Sequence, residues 1–158
     1  MQLFFSPIIL CLSGRLTMNV IQGSITVRTS DSLQVMSVYD KIQSWLRQIG
    51  AEDGTITLFS RHTTAGVTIN EAESGLLKDI ASRLGELVPP EAGYQHDRVD
   101  RNAHSHIMVT IVGSSVCIPV EEGGLALGTW QKPLLVECDG PRNRTLSMTF
   151  LGTSRNDG

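Results

Sequence analysis

Short apolar rows alternate with turn residues along the chain, and no single long periodic stretch dominates. Residues 20–29 read as a first strand, and Asp31, Ser32, Leu33 and Gln34 follow as a capping-box variant in which Asp31 accepts from a backbone N–H and Gln34 reaches back. A helix is expected to start there. Val35, Tyr39, Ile42, Leu46 and Ile49 step by fours and threes onto one helical face, and Gly50 supplies a left-handed stop. Over residues 55–61, Ile56 and Leu58 oppose Thr55 and Thr57 as in a half-buried strand, with His62 at or just past its end. A short strand at 66–69 leads through Asn70 and Glu71 into a helix whose apolar row is Leu76, Ile80, Leu84 and Leu87, ended by Pro89 and Pro90. Residues 91–102 form a polar loop without a core pattern.

Residues 107–112 are β-branched and suit a strand by propensity, while the spacing of Ala103, Ile107 and Ile111 suits a short helix equally well. The last third is strand-rich, at 116–120, 125–127, 133–138 and 144–151, with a turn at 121–124. Leu146, Met148 and Phe150 alternate with Thr145, Ser147 and Thr149. These elements predict an α+β fold: an antiparallel β-sandwich with two or three helices.

Composition narrows the classes. A chain of 158 residues suits one domain, and 41% hydrophobic with 18% charged residues is a globular balance. Thirteen basic against sixteen acidic side chains give a net charge of −3, which argues against nonspecific nucleic-acid binding. The apolar opening at 3–12 lacks a basic start and is too short to span a bilayer, so no membrane partner is expected. Residues 1–17 are expected to be an N-terminal extension or a misassigned start, and 18–158 a single domain. Three cysteines, an odd number without CxxC spacing, suit a reducing cytoplasm.

The four histidines, His62, His96, His104 and His106, fall at loop or element-end positions, and three follow the polar loop or lie in it. Imidazole ligates zinc and related ions, and three ligands with one open position characterise a catalytic site. The alternative is surface or capping histidines with no metal. On a strand His104 and His106 would share a side; on a helix they would diverge, leaving one to join His62 and His96. Glu71 reads as a general base, as a partner holding an imidazole tautomer, or as a charge near a helix N-terminus. Arg142 and Arg144 follow an Asp139-Gly140-Pro141 turn and could clamp a phosphate, or be solvated or in an oligomer salt bridge. Trp130 belongs to a pocket, an interface or a packed corner.

Five segments, in order, are similar to one known family: LFSRHTTAGVTINE at 58–71, YQHD at 94–97, NAHSHI at 102–107, GTWQ at 128–131 and ECDGPR at 137–142. Together they resemble the YjbQ-like family over about residues 20–151. The resemblance implies a compact α+β sandwich, a homotrimer, and a secondary thiamine-phosphate synthase activity joining a pyrimidine diphosphate to a thiazole phosphate. It also implies a helix after Asn102, metal ligation by His62, His96 and His106, and a neighbouring His104 in the pocket. Thr63, Asn70, Trp130 and Gln131 join the expected substrate pocket; Glu71, Arg142 and Arg144 are the expected catalytic residues. Gly66 departs from the family pattern, which commonly places a larger small residue there. The expected cofactor is a divalent metal, zinc-like first and magnesium second, and the expected partner a small phosphorylated substrate. Histidines suit zinc better than diphosphate chemistry usually demands, so a metal-assisted hydrolase and a non-catalytic trimeric metal- or ligand-binding protein stand as alternatives.

Overall fold

The computed structural model of the protein describes residues 18–155, whose strands form two antiparallel sheets. The larger has the order β1 (Asn19–Arg28), β8 (Asn143–Ser154), β3 (Ala51–Ser60), β5 (Ser115–Glu121) and β6 (Gly124–Leu125); the smaller has β2 (Gln34–Ser37), β7 (Gln131–Glu137) and β4 (Ala65–Glu71). Three helices, α1 (Tyr39–Gln48), α2 (Ser74–Leu87) and α3 (Ala103–Val112), and a 3-10 turn at Gln95–Arg98 complete the fold. The α+β sandwich expected from the sequence is therefore present. Among the described residues no helix is long and apolar enough to cross a membrane. The expected extension at 1–17 lies outside the described residues.

Alternation produces the layers. Inward rows on β8 (Leu146, Met148, Phe150) and β3 (Ile56, Leu58) meet Val67 and Leu135 of the smaller sheet in one core, which Ile42 and Leu46 of α1 help close. The opposite row of β7, Leu134 and Val136, packs with Met108 and Val109 of α3 and with Leu77, Ile80 and Leu84 of α2 in a second core. The smaller sheet is thus covered on both faces, which explains why its central strand reads as an unbroken apolar run. The far face of the larger sheet carries Thr145, Ser147 and Thr149 together with the exposed Val20, Phe59 and Leu151.

Several local expectations change. No helix starts at Asp31: Gln34 Oε1 accepts from the Ser30 N–H at 2.9 Å, and Val35 pairs with Val136 as strand β2. Pairing with β7 buries Val35 on a flat surface, which outweighs a local capping pattern. The helix begins at Tyr39 and Gly50 does provide the positive φ of +63° after it. Strand β4 runs on through Glu71, and α2 is capped instead by Glu73, whose carboxylate accepts from Gly75 and Leu76 N–H. The packed face of α2 is Leu77, Ile80, Ala81 and Leu84, and Leu87 is exposed. The ambiguous segment after Asn102 is helical, and β6 is shorter than residues 125–127.

Gly66 has a steric reason. Val67 N–H donates to the Gly113 carbonyl at 3.1 Å, so β4 runs against the end of α3, and a Cβ on Gly66 would stand 2.6 Å from that oxygen and 2.9 Å from Val112 Cγ1. Gly66→Ala is expected to cost about 1–3 kcal/mol by overpacking, a fall of several degrees in Tm. Thermal unfolding checks this, and an unchanged Tm would contradict the contact.

Candidate functional site

The alternation on β8 carries one residue past its apolar row: Arg144 stands in line with Leu146 and is 4% exposed. It reaches across the sandwich to Glu137 at the end of β7, which is fully buried. Arg144 Nε donates to Glu137 Oε2 at 2.6 Å and its Nη2 to Oε1 at 2.5 Å. Nη2 also donates to Thr64 Oγ1 at 2.9 Å, while the Asp139 N–H at 2.9 Å and the Thr29 hydroxyl at 3.1 Å complete the carboxylate's partners. Burial alone would push the Glu137 carboxyl up, but these donors outweigh it and hold it below its ordinary value. Arg144 is a bracing residue between the two sheets. Expected to meet a phosphate, its guanidinium is instead committed to Glu137 and Thr64.

The brace holds the loop that carries His62. Thr64 accepts from Arg144 through its hydroxyl and from the Cys138 N–H, at 3.0 Å, through its carbonyl. Where β3 ends at Ser60, the Thr145 N–H of the neighbouring strand donates to His62 Nε2 at 3.0 Å. That nitrogen therefore accepts, and the neutral ring carries its proton on Nδ1. Burial, then the charge of Arg144, holds the His62 pKa below its ordinary 6.5.

Segment 137–139 also fixes α3. Ser105 Oγ donates to the Cys138 carbonyl at 2.5 Å, and Asp97 Oδ1 accepts from the Ala103 N–H at 3.2 Å, tying the 3-10 turn to the helix start. His96 on that turn then meets His106 edge to face, with ring centres 5.0 Å apart. His62, Thr63 and His106 line one cleft of about 660 Å³, with Phe59, Arg61 and Thr110. His104 points elsewhere; its Nδ1 is buried without a hydrogen-bond partner among the described residues.

The other expected residues do not join this cleft. Ala65 pairs with Glu137 at one end of the β4–β7 pair, and Glu71 pairs with Gln131 at the other, six residues or about 20 Å away. Glu71, Asn70, Trp130 and Gln131 are thus a second group. Trp130 is 71% exposed, and Asn70 Oδ1 accepts from the Glu71 N–H. Arg142 belongs to neither: it pairs with Asp139 at 2.8 Å beside a separate cleft. Sequence reasoning missed Glu137, Thr64, Ser105 and Asp97. Extending the apolar alternation of β8 by one step would have placed Arg144 inside, and a buried arginine calls for a carboxylate.

The family model for the UPF0047 protein YjbQ-like family matches residues 23–153. The chain belongs to the YjbQ-like family. It is 43% identical over 127 residues to a UPF0047 protein of Archaeoglobus fulgidus, covering 80% of this chain and 98% of that one. The UPF0047 protein YugU of Bacillus subtilis is 34% identical, covering 82% and 98%. Among solved structures, a hypothetical protein of Aeropyrum pernix K1 superposes with a TM-score of 0.82 at 46% identity, covering 84% of this chain and 99% of that one. A YbjQ-like protein of unknown function from Sulfolobus solfataricus gives 0.83 at 35%, covering 87% and 100%. The two solved structures match the sandwich described above over nearly their whole length.

Two outcomes follow from the brace. Glu137→Gln keeps the shape but leaves the Arg144 charge uncompensated, and is expected to lower unfolding free energy by about 3–5 kcal/mol in urea titrations. A loss below about 1 kcal/mol would show the pair to be dispensable. The pH dependence has a definite sign. Because the folded state favours neutral His62 and ionised Glu137, stability is full above pH 6.5 and declines as pH falls, first through His62 and then, below about 4.5, through Glu137. His62→Gln should remove the first decline and keep the second.

Proposed function

We propose that the chain is a metal-dependent enzyme acting on a small phosphorylated substrate, with thiamine-phosphate synthase as a side activity. The observation that carries this reading is the contact of His96 with His106, which lines the same cleft as His62. A ring-centre separation of 5.0 Å, that of an ordinary edge-to-face contact, is also short enough for both imidazoles to reach one ion. Among the described residues no three His, Cys, Asp or Glu side chains already converge on one point. His62 is the third donor in this reading and must exchange the Thr145 N–H for the ion. That exchange costs about 1–3 kcal/mol, against about 10–16 for a fully coordinated zinc, so the balance favours the ion. The lowered His62 pKa helps, since only the neutral ring ligates. The donor set suits a zinc-like ion better than magnesium.

Bound there, the ion supplies Lewis acidity at a phosphoryl or acyl oxygen. The chain's own residues set the rest: Phe59 and Val109 give the cleft an apolar wall, and Thr63 offers a hydroxyl to a substrate, while the Thr110 hydroxyl donates to the His106 carbonyl at 3.0 Å. Glu71 handles protons in this reading, and its distance from the histidines makes a neighbouring subunit of the expected homotrimer the source of that carboxylate. Exposed Ile107 and Ile111 beside His106 give such a subunit an apolar surface to meet. The same cleft supports metal-assisted hydrolysis of a small phosphorylated or acyl compound as a second reading, because the Lewis-acid geometry is common to both. A trimeric binder without turnover is the third.

Metal analysis of purified protein should find close to one divalent ion per chain, falling at least tenfold in affinity for His106→Ala or His62→Ala. Metal-free protein under every condition, or variants that bind as wild type, would remove the reading. For turnover, Glu71→Gln should keep its metal and lose synthase activity. Mixing inactive Glu71→Gln and His62→Ala subunits should restore part of it, and a monomer in sedimentation would contradict the shared site.

A further inference from the structure

We infer that the end of the exposed face of the larger sheet is a phosphate-anchoring site built from Arg28 and Arg61, contiguous with the histidine cleft across Thr145. This deepens the reading above by giving the substrate's anion a place, and rests on that reading only for what happens at the other end of the molecule. Both arginines are exposed and neither has a salt bridge or a side-chain hydrogen bond among the described residues. Arg28 lines a cleft of about 740 Å³ with Ser30, Arg142 and Asn143, and Arg61 lines the histidine cleft.

Register makes these clefts neighbours. Arg28 is opposite Asn143, Thr26 is opposite Thr145, and Thr145 is held to His62 through its N–H. Asn143 and Thr145 share a face two residues apart, about 7 Å. The β3 chain ends beside Leu146, so Arg61, the next residue, flanks Thr145 from the other side. An anion seated between the two guanidiniums would therefore lie beside Thr145, whose N–H holds His62 of the histidine cleft.

Charge and shape select the class. Two carboxylates on adjoining turns are already engaged: Asp139 accepts from Arg142, and Asp31 from the Ser30 hydroxyl at 2.9 Å. Asp139 is paired with Arg142 while Asp31 meets only a neutral hydroxyl, so Arg28 and Arg61 outnumber the remaining carboxylate, Asp31, by one, on a chain whose net charge is −3. A carboxylate is satisfied by one bidentate guanidinium, whereas a phosphate offers oxygens to two arginines approaching from different sides. The hydroxyls of Thr26 and Thr145 and the Asn143 amide line the space between them on the same face.

The test is calorimetric titration of inorganic phosphate into the full chain at low salt, with Arg28→Ala, Arg61→Ala and a control, Arg47→Ala, whose arginine lines a different cleft. Each of the first two should weaken phosphate binding about tenfold or more, and the control by less than twofold. Protein stripped of metal by chelation should bind phosphate as before, and acetate should bind at least tenfold more weakly. Arg28 and Arg61 variants that bind like wild type would overturn the assignment, as would equal binding of acetate or a uniform loss in all three variants. Loss of binding on chelation would place the anion on the ion and overturn it too. A chain that binds phosphate but never metal would uphold the anchor while removing the metal reading, so the two fail separately.

Discussion

The buried pair of Glu137 and Arg144 is the constraint around which the site is arranged. It joins the two sheets at one end of the sandwich, where the apolar inward rows give way to Thr29, Thr64, Glu137 and Arg144. Such a pair adds little net stability, because desolvation offsets the Coulombic attraction, yet it is costly to break on one side. Its consequence is positional. Arg144 and the Cys138 backbone grip Thr64, which sets the His62 loop, while the Cys138 carbonyl grips Ser105, which sets the start of α3 and so His106. One three-residue segment thereby fixes both walls of the histidine cleft.

That arrangement depends on the smaller sheet being a middle layer. Because β7 alternates between two cores, its end can present Glu137 to one layer and the Cys138 carbonyl to the other. The close approach of β4 to the end of α3 at Gly66 and Gly113 keeps the helix within reach. Asp97 then carries order outward, from the helix start to the 3-10 turn and His96. Only His96 is held chiefly by its turn, and it is also the most exposed of the two paired rings.

Much of this was legible in the chain. Clean alternation at 144–151 and 55–61 predicted the inward rows, and the four-and-three spacing of Ile42 and Leu46 predicted α1, because burial on one face leaves a periodic trace. The segment at 31–37 misled because its capping pattern is local, while its fate as a strand is decided by pairing with residues 134–137, a hundred positions away. The histidines were found by type and by resemblance, but their grouping was not: spacing cannot show that residue 71 lies at the opposite end of a strand pair from residue 62. Charged residues inside were missed for a related reason. Arg144 reads as a phosphate clamp or a solvated residue, and Glu137 goes unremarked, until the alternation of their own strands is carried one step further than the apolar run.

The most direct test of the account is X-ray absorption at the zinc edge of the zinc-loaded protein. Imidazole scattering from at least two histidines, with Zn–N near 2.0–2.1 Å, reduced by one ring in His106→Ala, is the predicted result. A shell of oxygen ligands unaffected by His106→Ala, or no bound zinc at all, would contradict it.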